Sequence, residues 1–516
     1  MRDSGLPLSY WTPENYFDNV PQAMRPQASS QTPRKDAACG NKEISKVEMA
    51  NYKFQTERFL TTLGLNLYDG ACWMIASSLY GKHAMVEEYV KNTLIEHKTT
   101  GLMDIKADTA CVGIYAYGQC PKAHDIFHEG DCGFCYGDSG TDGSLSTENA
   151  LFFRMISDVY ALEGTKDARC PALGNPWTWN DWRPILGENA WASLLGPLQS
   201  AFLAADGKAD EIPDDSFALV LASNFLPAVR KLLIPNVGCV HYTAHNSYGD
   251  TDPDVGGLVS TENNGSLLAG LKALRYVLNA KVASQFKGLL AEVDSLIESV
   301  EGCLKQAYDT HLGFFLQGGR YNLTTREFEW NPGTGATGFA VDCQTWVMSA
   351  LGKARVDAWF GEGTALKVWN KTAEIGGYKV SCDSGRCIPR GVGFSDNKAD
   401  QVFSGEWTFG AINLLRILSA EYENIDPTMA IQLQADADGM REQITQELTV
   451  MVDFDRTPPA PEKQGDSSKA VKYANKRYYI PFGWWANPIP SQASTSWAVF
   501  IDSKYNPLML GVYKLE

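Results

Sequence analysis

Carboxylate, amide and hydroxyl side chains recur at the starts of helix-like segments along the sequence. Six such starts lie at residues 146–150, 187–191, 260–264, 341–346, 404–408 and 490–497. Serine, threonine or aspartate before a helix accepts hydrogen bonds from its first backbone N–H groups, and a carboxylate in the first turn complements the positive helix end. Capping explains any one of these segments. Several of them at one place would gather acids and amides into a site.

Aromatic residues accompany these polar groups, and the chain contains 14 Trp and 22 Tyr. Aromatic rings stack on the apolar faces of sugars, while carboxylates and amides bind sugar hydroxyls. Cleavage of a glycosidic bond needs one carboxyl group as acid and a second as base or nucleophile. We therefore predict a carbohydrate site with the catalytic candidates Glu262, Glu406 and Asp342. The predicted substrate-binding residues are Glu188, Asn189, Trp191, Asn263, Gln344, Trp346, Trp407, Trp484 and Trp485.

The elements that would position these residues are helices, because apolar residues recur at helical spacing in about a dozen segments. The predicted helices cover residues 44–64, 68–98, 146–163, 189–206, 216–234, 260–281, 283–308, 339–359, 364–376, 404–422, 428–450 and 491–505. Strand-like runs are few and short, as at 313–316 and 478–482. The sequence predicts an all-α fold.

Long segments rich in Gly, Trp, Tyr, Asp and Asn follow every second helix. They are residues 99–145, 164–187, 235–259, 309–338, 377–403 and 451–490. Loops of this length in a compact domain usually carry function. The alternation of long and short connections predicts an (α/α)6 toroid of six helical hairpins, with its long loops on one rim. An irregular helical bundle or an open solenoid is the alternative, although no fixed solenoid repeat is visible.

The first part of the chain differs from the rest. Residues 1–43 are rich in Pro, Ser, Gln and Asn and lack helical periodicity. No linker-like composition follows residue 44. We predict an extended arm over residues 1–43 and one (α/α)6-barrel catalytic domain over residues 44–516.

The direction of the helices predicts which candidates lie together. Successive helices in a ring of hairpins run antiparallel, so every second helix begins at the same rim. This parity places Glu188, Glu262, Asp342, Glu406 and the segment 491–497 around one opening. The position of Glu148 depends on whether residues 68–98 form one helix or two.

The net charge indicates which kinds of substrate or binding partner are unfavourable. With 45 Lys and Arg against 61 Asp and Glu, the chain carries a formal charge of −16. Such a surface repels polyanions, which argues against nucleic acid and acidic polysaccharides. No apolar run approaches the ~20 residues of a membrane span. We expect a soluble monomer that acts on a neutral sugar chain.

Cysteine usage favours an oxidising compartment. The 12 Cys include close pairs at 111 and 120, 132 and 135, and 382 and 387, which we interpret as disulfides. Glycosylation sequons begin at Asn264, Asn322 and Asn370. No signal peptide is visible in residues 1–20. We predict a secreted protein, and the alternative is a cytosolic one with free thiols.

The pair Cys132 and Cys135 could instead bind zinc together with His128 and either Cys120 or Cys111. Structural zinc usually needs two such pairs, and one clean C-x₂-C is present. A disulfide-stapled loop is the preferred interpretation. We therefore expect no metal and no cofactor.

The motifs resemble those of six-hairpin glycoside hydrolases, and they are most similar to the endo-β-1,2-glucanase group and its relatives. The resemblance covers roughly residues 140–510 and uses the segments 187–191, 261–264, 342–346, 405–408 and 482–491. It implies an endo-acting, inverting hydrolase of a neutral β-glucan, with proton transfer through a substrate hydroxyl in some members. It also implies that Glu262 is the general acid. The base stays open between Glu406 and Asp342, with Asp453 and Asp455 as weaker candidates.

Two other classes of function use the same features. A polysaccharide lyase on the same toroid would take its base and acid from Tyr and His, as in the segment 241–245. The acidic charge argues against the anionic substrate of such an enzyme. A non-catalytic carbohydrate-binding protein would keep the tryptophans and tolerate amides in place of the acids.

Overall fold

The structure is a computed structural model. It describes residues 7–13, 15–25, 34–36, 42–44, 54, 57–58, 61–62, 64–95, 155–156, 185–243, 257–281, 286–322, 324–330, 338–383, 386–453, 467–481 and 484–513. Glu148, His245, Asp455 and the cysteines at 111, 120, 132 and 135 lie outside these residues, as do His128 and the sequence predictions made for them.

Helices form most of the described chain. In order they are α1 Leu67–Leu79, α2 His83–Tyr89, α3 Leu186–Ala190, α4 Gly196–Ala204, α5 Phe217–Leu232, α6 Thr261–Asn279, α7 Phe286–Ala307, α8 Val341–Leu351, α9 Lys353–Phe360, α10 Thr364–Gly376, α11 Gly405–Tyr422, α12 Pro427–Glu447 and α13 Gln492–Asp502. Two π-helical segments, Val90–Ile95 and Trp191–Leu195, and three-residue 3₁₀ turns at Phe17–Asn19, Gln22–Met24 and Ala209–Glu211 complete them. The predicted all-α class is confirmed.

The strands are short and antiparallel. They are β1 Arg34–Asp36, β2 Lys42–Ile44, β3 Leu65–Asn66, β4 Met155–Ile156, β5 Leu258–Ser260, β6 Tyr308–Asp309, β7 Phe314–Phe315, β8 Gly318–Tyr321, β9 Phe328–Trp330, β10 Gly377–Tyr378, β11 Ser381–Asp383, β12 Arg386–Ile388, β13 Gly391–Val392, β14 Thr449–Asp453, β15 Ser467–Val471, β16 Tyr478–Tyr479 and β17 Trp485–Ala486. Among the described residues the largest sheet has the order β5-β8-β9, in which Val259 lies opposite Gly319 and Gly319 opposite Trp330.

The predicted helix over residues 146–163 is wrong at 155–156. There β4 pairs with β3, with Ile156 opposite Leu65 and Met155 opposite Asn66. A short apolar run fits a buried strand as well as a helix, so periodicity alone does not separate the two.

Glycines divide two of the predicted helices. The run 68–98 breaks after α1, where Gly81 has φ +69°, and the run 339–359 breaks between α8 and α9, where Gly352 has φ +78°. A left-handed conformation costs glycine little and ends an α-helix. The described part of the run 68–98 therefore forms two helices and not one.

One helical stretch, residues 186–204, contains the π segment Trp191–Leu195 between α3 and α4. Pro197 lies at the start of α4 and has no N–H to donate to the carbonyl four residues earlier. The hydrogen-bond pattern of the helix therefore changes in the turn before Pro197, and that turn, Trp191–Leu195, is π.

The chain divides into two compact units. Unit 1 comprises residues 1–9, 13–304 and 318–330, and unit 2 comprises residues 10–12, 305–317 and 331–516. The predicted division into an arm over 1–43 and one domain over 44–516 stays a prediction beside these two units.

Unit 1 is built on α1, α4 and α6, whose buried residues are mostly apolar. Here α6 and α7 run antiparallel, since Lys272 pairs with Glu301 at 3.0 Å and Arg275 with Asp294 at 3.9 Å. A separate core under the β5-β8-β9 sheet contains Ile234, Val259 and the disulfide Cys239–Cys303.

Unit 2 has α11 at its centre. This helix packs against α8, α12 and α13, and the short connection to α12 makes the pair an antiparallel hairpin. At the start of α9, Lys353 is buried. Its Nζ lies 2.9 Å from Asp357 Oδ2 and 4.9 Å from the centre of the Tyr422 ring. The predicted disulfide Cys382–Cys387 is present and joins β11 to β12.

No helix in the described part of the chain is long and apolar enough to cross a membrane.

Candidate functional site

In unit 1 the starts of α1 and α3 are joined by a hydrogen bond between side chains. Asn66 caps α1, since its Oδ1 accepts from the backbone N–H of Tyr68 at 2.8 Å. Its Nδ2 donates to Glu188 Oε1 at 3.1 Å, and Glu188 is in the first turn of α3. A single asparagine thus caps one helix and orients the acid of another.

The start of α6 adds a second acid. Ser260 caps this helix by accepting from the Asn263 N–H at 3.2 Å, and Glu262 follows in the first turn, half-buried. Ser266 Oγ donates to Glu262 Oε1 at 2.7 Å, and Trp191 Nε1 donates to Ser266 Oγ at 3.1 Å. The Glu262 carboxylate therefore has a defined orientation.

The starts of α3 and α6 lie against each other. A Cβ atom added to Gly187 would stand 2.4 Å from Asn263 Oδ1, so any side chain at this position would displace the Asn263 amide. Unit 1 thus brings together Glu188, Trp191, Glu262 and Asn263.

The amides near this cluster are buried. Asn189 donates to the carbonyl of Ile185 at 2.9 Å, one turn before it in the chain. Asn264 accepts from Val240 N–H at 2.9 Å and donates to the carbonyls of Val240 at 3.0 Å and Ser260 at 2.8 Å. Both side chains serve the fold in this structure.

In unit 2 the starts of α8, α11 and α13 lie near one another. Ser404 and Ser491 cap α11 and α13, and a Cβ atom on Gly405 would stand 2.9 Å from Ser494 Oγ. Phe394 links α8 to α11. Its carbonyl accepts from the N–H of Val341 on α8 at 3.0 Å, and its ring meets the ring of Trp407 on α11 edge-on at 4.8 Å.

Two acids occupy these helix starts. Glu406 is buried in the first turn of α11. Asp342 is half-buried in the first turn of α8, and its Oδ1 accepts from the Cys343 N–H at 2.7 Å. Burial raises the pKa of Asp342 to about 7, against the lowering effect of that hydrogen bond. Its carboxyl group is therefore able to hold or release a proton near neutrality.

Most of the predicted tryptophans are inside the protein. Trp191, Trp346, Trp407 and Trp497 are buried, and the rings of Trp346 and Trp497 stack at 5.9 Å. Gln344 is also buried, with its amide bonded to the backbone N–H and C=O of Phe315, each at 2.8 Å. In this structure these side chains pack and join elements.

Exposed aromatic surface in unit 2 lies on the β16-β17 hairpin. Trp484 is 39% exposed and Tyr479 51% exposed, while Trp485 is half-buried under the guanidinium of Arg477 at 4.4 Å. The Trp484 indole N–H donates to the Tyr473 hydroxyl at 3.4 Å. These two exposed rings offer faces on which a sugar could stack.

The other candidates are placed as follows. His241 is buried, and its ring lies edge-on to Tyr321 at 5.7 Å. Asp453 ends β14. Among the described residues there is no group of three His, Cys, Asp or Glu side chains suited to a metal ion.

The site residues therefore fall into two groups, one in each unit. Sequence reasoning missed Asn66, Tyr68 and Ser266 in unit 1 and Phe394 in unit 2. An isolated Asn-x-Tyr or a serine four residues after a glutamate is a weak signal in a sequence. The single opening predicted from parity joins residues of both units and stays a prediction.

Comparisons with protein-family models and with curated protein sequences find no match. Solved structures do match. An unsaturated glucuronyl hydrolase from Bacillus sp. GL1 aligns over 69% of this chain and 85% of its own, at 12% identity and a TM-score of 0.41. A sugar epimerase from a ruminal bacterium aligns over 94% of both chains, at 9% identity and a TM-score of 0.43.

A polysaccharide lyase aligns over 73% of this chain and 91% of its own, at 14% identity and a TM-score of 0.29. All three neighbours are named for reactions on sugars, and none of the three is named as a β-1,2-glucanase. At TM-scores below 0.5 these likenesses assign no activity to this chain.

Proposed function

We propose that the protein is a glycoside hydrolase of a neutral β-glucan, with Glu262 as the general acid. The observation that supports this role is the environment of Glu262, a half-buried carboxylate in the first turn of α6 with one oxygen bonded to Ser266. Glu188, bonded to Asn66, lies on the adjacent helix start. Catalysis on a sugar needs an acid with a defined orientation near a second carboxylate, whereas packing of the helices does not require this arrangement.

The reaction is a hydrolysis by an acid and a base. Glu262 donates a proton to the glycosidic oxygen, directly or through a substrate hydroxyl, while a carboxylate takes a proton from water. The water oxygen bonds to the anomeric carbon, and the bond to the leaving sugar breaks. Glu406 and Asp342 are the candidates for the base. We propose inversion at the anomeric carbon and an endo-acting enzyme, with β-1,2-glucan as the preferred substrate.

The substrate is uncharged in this proposal. The formal charge of −16 disfavours a uronate polymer, because like charges raise the free energy of its approach. The disulfides Cys239–Cys303 and Cys382–Cys387 are compatible with an extracellular enzyme, and we propose that location.

The test is reducing-end release from β-1,2-, β-1,3-, β-1,4- and β-1,6-glucans by purified protein, with chain-length analysis of the products. Glu262→Gln should lower kcat by about 10²–10⁴-fold and leave the thermal midpoint unchanged, since a general acid contributes that much. Glu298→Gln is the matched control, because Glu298 is exposed on α7 of the same unit.

Three other outcomes would remove the proposal. Full turnover by Glu262→Gln would take the acid role from that residue. Ultraviolet absorbance of an unsaturated uronate, released from alginate or pectin, would show a lyase. Binding of glucan without any product would show a carbohydrate-binding protein.

A further inference from the structure

Three side chains of unit 1 form a hydrogen-bonded series that ends at Glu262. Trp191 Nε1 lies 3.1 Å from Ser266 Oγ, and Ser266 Oγ lies 2.7 Å from Glu262 Oε1. Trp191 and Ser266 are buried, whereas Glu262 is half-buried. The series therefore leads from the core of the unit to the edge of the candidate site.

The chemistry of these groups fixes the direction of the series. An indole N–H can only donate, so Trp191 occupies a lone pair of the Ser266 hydroxyl. A hydroxyl has one proton to give. With Trp191 as its donor, Ser266 directs that proton to Glu262 Oε1. Oε1 is then an acceptor in either protonation state of the carboxyl group.

The surrounding elements hold this geometry. Glu262 and Ser266 are four residues apart on α6 and so share a face. Trp191 begins the π segment, and the Tyr68 ring meets it edge-on at 5.0 Å. Gly270 of α6 allows Leu194 to approach, since a Cβ atom there would stand 2.9 Å from Leu194 Cβ.

We propose that Ser266 and Trp191 are positioning residues for Glu262, which keep Oε1 as an acceptor and place the transferable proton on Oε2. This inference rests on the proposed role of Glu262 as general acid. Proton delivery to the substrate then takes place from Oε2, the oxygen that is not bonded to Ser266.

The positioning role has a consequence for acidity. A hydroxyl that donates to a carboxylate stabilises the ionised form, so loss of Ser266 should raise the pKa of Glu262. Charged or titratable groups on the described elements around the start of α6 include Glu188 on α3 and Tyr68 on α1. They also include His241 and Tyr242 before β5, and Arg320 and Tyr321 on β8. They are the same in every variant, so the difference between variants isolates Ser266.

The experiment is a pH profile of kcat/KM for the wild type, Ser266→Ala, Ser266→Thr and Trp191→Phe. The basic limb reports the acid of the free enzyme. Ser266→Ala should move this limb upward by about one pH unit, the effect of one hydrogen bond to a charged group. It should also lower kcat by roughly 10-fold while KM stays constant. Ser266→Thr should restore the wild-type limb.

Trp191→Phe keeps an aromatic ring and removes the N–H, so it should lower kcat and leave the basic limb within about half a unit of wild type. Ser299→Ala is the matched control, because the Ser299 hydroxyl donates to the backbone carbonyl of Ser295 on the exposed side of α7. An unchanged limb and kcat in Ser266→Ala would overturn the inference.

A second readout separates this inference from the proposed function. Infrared difference spectra over pH 3–9, with Glu262→Gln as the reference, give the titration of the Glu262 carboxyl group without any substrate. If the wild type cleaves no glucan, the proposed function fails. The positioning role then stands if Ser266→Ala raises that titration midpoint and falls if the midpoint is unchanged.

A different observation supports a second inference, which concerns covalent modification. Of the three sequons, Asn322 alone is exposed; it lies between β8 and β9, with its Oδ1 accepting from the N–H groups of Thr324 and Thr325, each at 2.9 Å. Asn264 is fully buried with its amide bonded to the backbone. Asn370 lies inside α10, two residues before the buried Thr372.

We infer that Asn322 is the sequon among these three that takes an N-linked oligosaccharide when the chain passes through a eukaryotic secretory pathway. The donor is a polyprenyl-pyrophosphate oligosaccharide. An N–C bond forms between Asn322 Nδ2 and the anomeric carbon, the amide loses one proton, and the lipid pyrophosphate leaves. The exposed turn leaves room for the glycan in the folded protein.

The test is secretion of the full chain from yeast behind an added leader, followed by release of N-glycans in ¹⁸O water and mass spectrometry of the peptides. Asn322 should carry the isotope label, and Asn322→Gln should abolish the mobility change caused by glycan release at this site. Asn370→Gln should not change it. An unmodified Asn322, or a glycan on Asn264 or Asn370, would overturn the inference.

Discussion

Asp342 is a half-buried acid with an altered pKa. Burial raises this pKa from 3.8 to about 7, so the folded protein keeps a proton that the unfolded chain loses between these values. Its contribution to stability is full below pH 4 and declines as the pH rises toward 7. As the pH rises from 4 to 7, the thermal midpoint of the wild type should fall by roughly 3 °C more than that of Asp342→Asn.

The measurement is calorimetry at pH 4, 5.5, 7 and 8.5. Asp438→Asn serves as the control, because Asp438 is exposed on α12. Equal pH dependence in Asp342→Asn and the wild type would show that this carboxyl group does not titrate differently on folding.

Single residues could be predicted from sequence where their effect is local. Ser260, Ser404 and Ser491 were expected at helix starts, and each caps its helix. The exposure of tryptophans could not be predicted, because Trp346 is buried by Trp497, a residue 151 positions further on. The bond from Asn66 to Glu188 likewise spans 122 positions.

The close contact between α6 and the π segment predicts how substitutions of helix glycines change stability. Gly270 on α6 faces Leu194, and an added Cβ atom would stand 2.9 Å from both Leu194 Cβ and Cδ1. Gly270→Ala should lower the free energy of unfolding by about 1–3 kcal/mol, despite the better helix propensity of alanine. Gly302→Ala on α7 meets nothing within 4 Å and should raise it by up to about 1 kcal/mol.

Urea denaturation of both variants gives these free energies. The pair is informative because both glycines are inside helices, so propensity acts equally on them. A gain in stability for Gly270→Ala would mean that α6 and the π segment move apart without cost.

The two disulfides should contribute unequally. Cys239–Cys303 closes a separation of 64 residues, and Cys382–Cys387 closes one of 5. Loop-closure entropy gives about 4 kcal/mol for the long loop and about 2 kcal/mol for the short one. Paired Cys→Ala variants, compared by guanidinium denaturation, should show this order. The reverse order would mean that local strain or packing outweighs loop entropy.

Helix positions were predictable because each amphipathic repeat is read within one segment. The predicted run 364–376 matches α10, and 404–422 begins one residue before α11. The strand at 155–156 was not predictable, since it depends on β3, about 90 residues earlier. The disulfide Cys239–Cys303 was missed for the same reason, whereas Cys382–Cys387 closes a tight turn that is visible in sequence.

At the scale of the molecule, net charge predicts selectivity among substrates. If the proposed function is right, a protein with a charge of −16 should cleave a neutral β-glucan faster than its carboxymethylated form, by roughly 2–10-fold at 20 mM NaCl. At 300 mM NaCl the screening length falls from about 20 Å to about 6 Å, so the ratio should approach one. Initial rates on both polymers measure it. A ratio independent of salt would place the discrimination in steric contacts instead.

The class of the fold followed from the sequence, and so did the helix starts that carry the acids. The arrangement within each unit did not, because it depends on close approaches such as Gly187 to Asn263 and Gly405 to Ser494. These contacts join segments that are remote in sequence, and periodicity within a segment contains no information about them.

The π segment Trp191–Leu195 sets the rotation of Glu188 around the helix axis relative to α4. A π turn contains one residue more than the α turn it replaces. If this turn became α-helical without losing a residue, the helix would gain one residue of α geometry, and Glu188 would rotate by about 100° around the axis relative to α4. The π turn therefore keeps the acid in phase with the core-packing residues of α4, and a regular α-helix over the same residues would keep the helix and lose the site.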